Sequence, residues 1–278
     1  MRYGTTHYSE AIPLLNQWYE RHGLYEQRTL WIIDNARAPK EPPQQLGPRT
    51  FLHSGDNRAW EFSAWDLALN LIRKQTDEFD AVHFVTSAFN TLYTEYLKHF
   101  EPGMLAFILQ RSLCLGHIDS YPAPVQLGST VSQSWIRTCF FFLPWHLAVS
   151  VSAWVAQEDR TRFFTANDSR EFRTGAPLSI EYQKHITAWL EGQEMGGHTW
   201  HSPVKHGLEE NVRFQQKALA ILNEHHLAIT FRQTGIGLAD FCWLFSHRAS
   251  LASHPPEMIP ELDQLKIRRK ILGIPEPA

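Results

Sequence analysis

Apolar and polar positions recur along the first hundred residues with spacings that predict two helices and three strands. From Ser9 to Gly23, apolar residues follow the i, i+3, i+4, i+7 spacing of an amphipathic helix. Three short runs rich in β-branched and aromatic residues, at 29–33, 50–52 and 81–85, predict buried strands. Between the second and third runs, residues 60–72 carry an apolar stripe wide enough for a largely buried helix.

This order of strands and helices predicts an α/β fold built on a mostly parallel sheet flanked by helices. We expect a single domain with a first half at 1–100, a second half at 101–255 and a peripheral tail at 256–278. In folds of this class, ligands bind beyond the carboxyl ends of the strands. The polar residues that follow the three predicted strands should therefore share one rim of the sheet.

The second half has weaker patterns. We expect a strand and a helix, in either order, at 104–115, a proline-containing loop at 118–128 and a helix at 208–226. The 19 residues of 138–156 include no Asp, Glu, Lys or Arg, and this length could just span a bilayer. Pro144 near the middle of that segment, with His146 and several serines, instead favours a buried strand followed by a helix.

The charge balance and the cysteine content indicate which kinds of partner and which cellular setting to expect. The 278 residues include 26 Lys and Arg against 29 Asp and Glu, so the chain lacks the basic field typical of nucleic-acid binding. Its three cysteines are odd in number and far apart, which argues against a disulfide framework and favours a reducing, cytoplasmic setting. The sequence opens without a basic segment followed by an apolar run, so no secretory signal is expected.

The first two predicted strands are each followed by residues suited to ligand binding. Asp34 and Asn35 come after the first, and Gly55, Asp56 and Asn57 lie between the second and the next helix. A helix N-terminus offers backbone N–H groups to an anion such as a pyrophosphate. The alternative for Asp34 and Asn35 is an ordinary turn in which each side chain bonds its own backbone. Asn57 is expected to be the N-cap of the helix, a role compatible with ligand contact.

Two carboxylates on that helix allow two interpretations each. Glu61, in the first turn, gains from the helix dipole whether or not a substrate is bound. Asp66 follows Trp65 in a mostly buried stretch, where an unpaired carboxylate would be costly. Asp66 therefore needs a protein partner or a ligand.

Five segments combine into a wider pattern that covers most of residues 29–235. They are WIIDN at 31–35, GDNRAWEFSAWD at 55–66, DAVHFVTS at 80–87, SWIRTCFF at 134–141, and 217–227 with its Glu-His-His-Leu end. Together these segments resemble bacterial glycosyltransferases of GT-A type. The resemblance is strongest to the enzymes of rhamnan and related surface-polysaccharide synthesis.

The resemblance implies a GT-A-like fold and a nucleotide-sugar donor held by the half at 1–100. The implied donor-binding residues are Asp34, Asn35, Asn57, Arg58, Glu61, Asp66, Thr86 and Ser87. Thr86-Ser87-Ala88 stand where such enzymes carry an Asp-x-Asp metal motif, so no metal ligand is assigned, and a Mn²⁺ or Mg²⁺ cofactor stays an open question. Without a metal, the helix N-terminus and Arg58 would stabilise the leaving diphosphate.

The half at 101–255 is implied to bind the acceptor, a glycan or a lipid-linked glycan. Sugar transfer needs a carboxylate or a histidine that takes the proton of the acceptor hydroxyl. Asp119 and Glu224 are the candidate catalytic residues; their alternatives are a turn residue and a solvated helix residue. The resemblance further implies a cytoplasmic enzyme with peripheral contact to the inner face of the membrane.

Other interpretations remain open. His198, His201 and His206 have a spacing that could hold zinc, but no Cys or neighbouring Asp completes the set, so a lid over the acceptor or a plain polar loop competes. A non-catalytic glycan- or partner-binding protein on the same fold is the rival function. An unrelated nucleotide-binding enzyme, such as a methyltransferase, is disfavoured because no G-x-G-x-x-G turn follows the first strand.

Overall fold

The computed structural model describes residues 1–4, 6, 8–26, 28–74, 79–89, 94–193, 199–205, 207–247 and 257–258. The helices in these ranges are α1 (Ala11–Arg21), α2 (Trp60–Ile72), α3 (Gly103–Arg111), α4 (Trp145–Ser150), α5 (Ile180–Leu190), α6 (Leu208–Gln233) and α7 (Phe241–His247). The strands are β1 (Leu30–Asp34), β2 (Gln44–Gly47), β3 (Thr50–Ser54), β4 (Ala81–Val85), β5 (Leu113–Leu127), β6 (Thr130–Pro144) and β7 (Gly237–Asp240). Two short 3₁₀ helices cover Glu95–His99 and Arg160–Arg162.

The chain divides into two compact units, each assembled from separate stretches. Unit 1 comprises Met1–His117, Arg137–Val155 and Thr234–Ile259, and the described part of unit 2 comprises Ile118–Ile136 and Ala156–Gln233. The halves expected from the sequence, 1–100 and 101–255, are by contrast continuous. Of the predicted tail at 256–278, only Glu257 and Met258 lie within the described residues.

The strands form two mixed sheets, so the fold is α/β but the prediction of a mostly parallel sheet is wrong. The three-stranded sheet has the order β1-β3-β2; β1 is parallel to β3, and β2 is antiparallel to it. The four-stranded sheet has the order β4-β6-β5-β7, with β4 antiparallel to β6 and β5 parallel to β7.

The second half of β5 was not predicted, for a physical reason. Residues 118–128 were predicted as a loop because they contain Pro122 and Pro124, yet 118–127 belong to β5. Proline cannot donate to a strand ladder and is tolerated where a strand lacks a second neighbour. The pairing with β7 covers Leu113–Gly116, so both prolines stand beyond it.

The backbone of Met1 and Arg2 lies between β1 of the three-stranded sheet and β4 of the four-stranded sheet. The Arg2 N–H donates to the Ile33 carbonyl (2.8 Å), and the Asn35 N–H donates to the Arg2 carbonyl (2.9 Å). On the other side, the Met1 nitrogen donates to the Val85 carbonyl (2.7 Å). The Arg2–Asp34 bridge is parallel, as is the pairing of β1 with β3. The carboxyl ends of β3, β1 and β4 therefore meet at one rim of unit 1.

The three consecutive phenylalanines of β6 organise the core of unit 1 because side chains alternate between the two faces of a strand. Phe140 contacts Trp18 of α1, with ring centroids 4.9 Å apart. Phe141 contacts Trp65 of α2, with ring centroids 5.5 Å apart. β6 is thus covered by apolar groups on both faces.

The segment 138–156 is the end of β6 followed by α4, as the buried-strand interpretation predicts. Within the described ranges, no helix has both the length and the apolar character needed to cross a bilayer.

Unit 2 has its own core, in which α5 and α6 pack with the end of β5. Its fully buried members include Phe163, Ile186, Phe214, Ala218 and Leu222. The helix predicted at 208–226 is confirmed and continues to Gln233. α5 had not been predicted.

Candidate functional site

Asp34, the last residue of β1, is the most constrained of the predicted donor-binding residues. Its side chain is 3% exposed and lies 2.7 Å from the Arg2 guanidinium. The N–H groups of Gly4 and Ala36 donate to its other oxygen at 2.9 and 3.0 Å. Burial raises the pKa of the Asp34 carboxyl, but these two N–H groups and Arg2 outweigh burial and bring the pKa below its usual value. Asp34 therefore holds the N-terminal segment on the sheet.

Asn35 organises the loop that joins β3 to α2. Its amide nitrogen donates to Asn57 Oδ1 (3.1 Å) and to the Trp60 carbonyl (3.0 Å). Its own Oδ1 is buried and has no hydrogen-bond partner among the described residues. A Cβ placed on Gly55 would lie 1.9 Å from this oxygen, so only glycine fits there. The loop is folded closely around the Asn35 amide.

The start of α2 differs from the prediction. The N-cap is Ala59, without a side-chain cap, so the expectation that Asn57 caps the helix is wrong. The Ala59 N–H instead donates to Ser63 Oγ at 3.3 Å. Asn57 and Trp60 have φ of 51° and 55°, a conformation that asparagine tolerates and that is unusual for tryptophan. Asn57 turns the chain before the helix and accepts the bond from Asn35.

The charged residues beside this loop are paired with each other and with backbone. Arg58 Nε lies 3.2 Å from Asp56 Oδ2, and Arg58 Nη2 lies 3.9 Å from Asp66 Oδ2. The partner that Asp66 needs is the N–H of Trp154, which donates to Oδ1 at 2.9 Å. Asp66 thus anchors the segment after α4, while the Arg58 side chain remains half exposed.

The other predicted residues of the rim connect α2 and β4 to the sheet. Glu61 accepts a hydrogen bond from the hydroxyl of Thr138 in β6 (3.0 Å). The N–H of Thr86 donates to the Cys139 carbonyl, and that of Ser87 to the Met1 carbonyl, both at 3.0 Å. In the described part of the chain, the hydroxyls of Thr86 and Ser87 have no hydrogen-bond partner. Thr86 is largely buried and Ser87 is partly exposed, so the Ser87 hydroxyl is the better placed of the two to bond a ligand.

The rim of unit 1 therefore offers hydroxyls and one half-exposed guanidinium, while its carboxylates are engaged by protein groups. Such a surface suits a polar ligand that carries hydroxyls and an anionic group. Among the described residues, no group of three or more His, Cys, Asp or Glu side chains could hold a metal ion. His198 and His206 of the histidine-rich segment lie outside those residues, and His201 is exposed beside Trp200.

Unit 2 contains a buried cluster of two tyrosines and a histidine. The Tyr121 hydroxyl lies 2.7 Å from Nδ1 of His225, and the Tyr182 hydroxyl is hydrogen-bonded to the same nitrogen. Burial lowers the pKa of His225 well below its usual value, and nearby His185 lowers it further. Burial also raises the pKa of both tyrosines, so His225 is neutral and both phenols are protonated at neutral pH.

Both predicted catalytic carboxylates act electrostatically on this cluster. The pKa of Tyr121 is raised by burial first, then by the neighbouring Tyr182, and further by the charges of Glu224 and Asp119. Asp119 lies in β5, not in the predicted loop, two residues before Tyr121 and so on the same strand face. Glu224 lies in α6 next to His225 and is partly buried, not a fully solvated helix residue. The structure thus brings Asp119 and Glu224 to one cluster.

Aromatic rings complete the surroundings of this cluster. The Trp135 ring lies 4.4 Å from the rings of both Tyr121 and His225. His185 stands edge-on to Tyr121, also at 4.4 Å, and burial lowers the pKa of His185 to about 4. Sequence reasoning missed these residues because Tyr121 fell in a predicted loop and α5 was not predicted. The Glu-His-His run at 224–226 was the visible signal.

The neutral histidines of unit 2 predict a pH dependence of stability. Because folding depresses the pKa of His185 and His225, the unfolded chain binds more protons below pH ~6.5, and stability falls as pH drops towards ~4. We expect His225→Gln, which keeps a polar partner for the tyrosines, to reduce this slope. Urea unfolding followed by tryptophan fluorescence at several pH values measures it. His146→Gln, at an exposed position, is the control; equal slopes in both variants would contradict the assignment.

Comparisons with protein-family models, curated proteins and solved structures found no match to this chain.

Proposed function

We propose that this protein is a nucleotide-sugar-dependent glycosyltransferase with a GT-A-like arrangement of its first strands. The observation that carries the proposal is the shared rim where β3, β1 and β4 end and α2 begins. In α/β folds, the carboxyl ends of parallel strands are the usual place for a nucleotide or phosphate ligand. The resemblance of the same segments to GT-A-type glycosyltransferases supports a nucleotide sugar as the ligand.

The rim residues divide into groups that shape the site and groups that would contact the donor. Asp34, Gly55 and Asn57 shape the loop through bonds within the protein. The hydroxyls of Thr86 and Ser87 would bond the sugar or ribose. The half-exposed guanidinium of Arg58, at the start of α2, would stabilise the diphosphate as it leaves. None of these steps requires a metal ion, and none excludes one.

Asp119 and Glu224 are the proposed candidates for the general base. A carboxylate that accepts the proton of the acceptor hydroxyl typically contributes a factor on the order of 10²–10⁴ to the rate. Both residues are partly exposed, as proton transfer with an incoming acceptor requires. The hydrogen-bonded tyrosines and neutral His225 beside them provide fixed dipoles around the carboxylates.

A second candidate function is a non-catalytic glycan- or nucleotide-binding protein. The observation that favours it is the engagement of the rim carboxylates: Asp34 binds Arg2 and two N–H groups, and Asp66 binds the Trp154 N–H. Protein groups therefore already occupy oxygens of both carboxylates. This candidate predicts donor binding without any turnover.

Calorimetric titration with UDP, GDP, dTDP and CMP, each with and without Mn²⁺ or Mg²⁺, tests the donor site. We expect one nucleotide to bind, and Arg58→Gln to weaken that binding roughly tenfold through loss of one charge-assisted contact. Arg21→Gln, an exposed arginine at the end of α1, is the charge-matched control and should leave binding unchanged. If none of the four nucleotides binds, the donor site is wrong.

The matching sugar nucleotide then separates the two functions. The enzyme should release the nucleotide slowly even without acceptor, and Asp119→Asn or Glu224→Gln should slow release by roughly 10²-fold or more. Donor binding with no release under any condition would support the binding protein instead.

A further inference from the structure

A polar cleft of about 430 Å³ lies in unit 2, beside the short helix Arg160–Arg162. This volume falls within the range of roughly 300–1,000 Å³ that is typical of small-molecule sites. Two of its lining residues are arginines and none is acidic. The lining residues are Arg160, Thr161, Phe164, Thr165, Ala166, Asn167, Arg173 and Thr174.

The cleft contains polar groups that the protein does not use. Within the described residues, the Arg160 guanidinium makes no hydrogen bond or ion pair. Arg173 donates from Nη1 to the Thr161 carbonyl (2.9 Å), which fixes its side chain and leaves its remaining N–H groups available in the same part of the chain. The Asn167 amide and the Thr174 hydroxyl are likewise without a described partner.

The backbone around the cleft is held in place by buried groups. Phe164 pairs with Phe172 in an antiparallel bridge, and the Arg173 N–H donates to the Phe163 carbonyl at 2.8 Å. From α6, the fully buried Gln215 amide donates to the carbonyls of Ala166 and Ser169, both at 2.7 Å. A site built this way loses little conformational freedom when a ligand binds.

From these features we infer that the cleft binds a phosphoryl group carried by a small molecule or a lipid. Guanidinium groups recognise phosphate oxygens through paired, charge-assisted hydrogen bonds, and a second arginine with hydroxyl and amide donors satisfies the remaining oxygens. The volume leaves space for the group to which the phosphate is attached. The inference does not rest on the proposed sugar transfer, because the residues concerned are not among those assigned to that reaction.

Titration with inorganic pyrophosphate and with glucose 1-phosphate tests the site for soluble ligands, and sedimentation with phosphatidylcholine vesicles containing phosphatidic acid tests it for a lipid phosphate. We expect at least one of the three probes to bind. Arg160→Gln and Arg173→Gln should each weaken that binding by roughly tenfold or more. The probe that binds identifies the source of the phosphate.

Arg162→Gln is the matched control. Arg162 is close to the cleft in sequence but does not line it, and the substitution removes the same charge as Arg160→Gln. Arg21→Gln removes a charge at the exposed end of α1, in unit 1, and should also leave the binding unchanged. Thermal unfolding of each variant checks that Arg173→Gln, which also loses the bond to Thr161, is folded; Arg160→Gln loses no bond to a described residue. Absence of binding to every probe, or equal weakening by Arg162→Gln, would overturn the inference.

Discussion

Asp34→Asn is expected to lower the free energy of unfolding by about 3 kcal/mol, because it removes one partner of a buried ion pair. The substitution preserves the shape of the side chain. It removes the negative charge that pairs with Arg2, and it replaces one of the two oxygens that accept hydrogen bonds from Arg2 and from the N–H groups of Gly4 and Ala36. Arg2 would keep its charge in a largely buried place without a counter-ion. Chemical denaturation at pH 7 measures the loss.

Asp34 should also make the stability of the protein depend on pH in the acid range. The pKa of Asp34 is depressed by folding, so its contribution is complete above the unfolded value of ~3.9 and is lost as pH falls through the lower folded value. Asp34→Asn should therefore flatten the stability curve below pH ~4. Asp56→Asn is the matched control, since the Asp56 side chain is 59% exposed and its ion pair with Arg58 is solvated. A loss as large in Asp56→Asn as in Asp34→Asn would contradict this account.

Gly55→Ala is expected to destabilise unit 1 by about 1–3 kcal/mol through steric overlap. The new Cβ would lie 1.9 Å from Asn35 Oδ1 and 3.0 Å from its Cγ, and the Asn35 amide is held by Asn57 and the Trp60 carbonyl. Relief requires the amide to leave both partners, which would also move the loop before α2. Nucleotide binding at the rim should therefore weaken together with the melting temperature.

Two further variants isolate the cause of that loss. Gly103→Ala adds the same methyl group at the start of α3, where no atom lies within 4 Å of the new Cβ, and should be nearly neutral. Asn35→Ala combined with Gly55→Ala removes the overlapping oxygen, so the double variant should cost less than the sum of the two single changes. Additive losses would show that the overlap is not the cause.

The part of the fold that the sequence predicts best is the part encoded by local runs. The strands at 29–33, 50–52 and 81–85 and the helix at 60–72 were predicted because their apolar patterns are continuous. β7 depends on pairing with the distant start of β5, and the prolines in the second half of β5 make that half look like a loop. Pairing of this kind leaves little trace in a local pattern.

The candidate site shows the same division. That Asp34, Asn35 and Thr86 follow strand ends could be read directly from the sequence. What each side chain does could not, because the partners of Asp34 and Asp66 come from Arg2 and Trp154, far away along the chain. Likewise, Asp119 and Glu224 were chosen as single carboxylates, and their shared cluster with His225 follows from the packing of α6 in unit 2.

The position of Met1 and Arg2 between the two sheets has a consequence for folding kinetics. Met1 bonds a carbonyl 84 positions away and Arg2 a carboxylate 32 positions away, so both contacts close long loops. Closing a long loop costs conformational entropy before the contact can stabilise the folded state. Topologies rich in such contacts therefore fold slowly. Until this dipeptide docks, β1 and β4 each present an unpaired edge, and unprotected edges favour association between chains. When Met1 and Arg2 dock, their backbone pairs with both β1 and β4, and neither strand edge is left open to another chain.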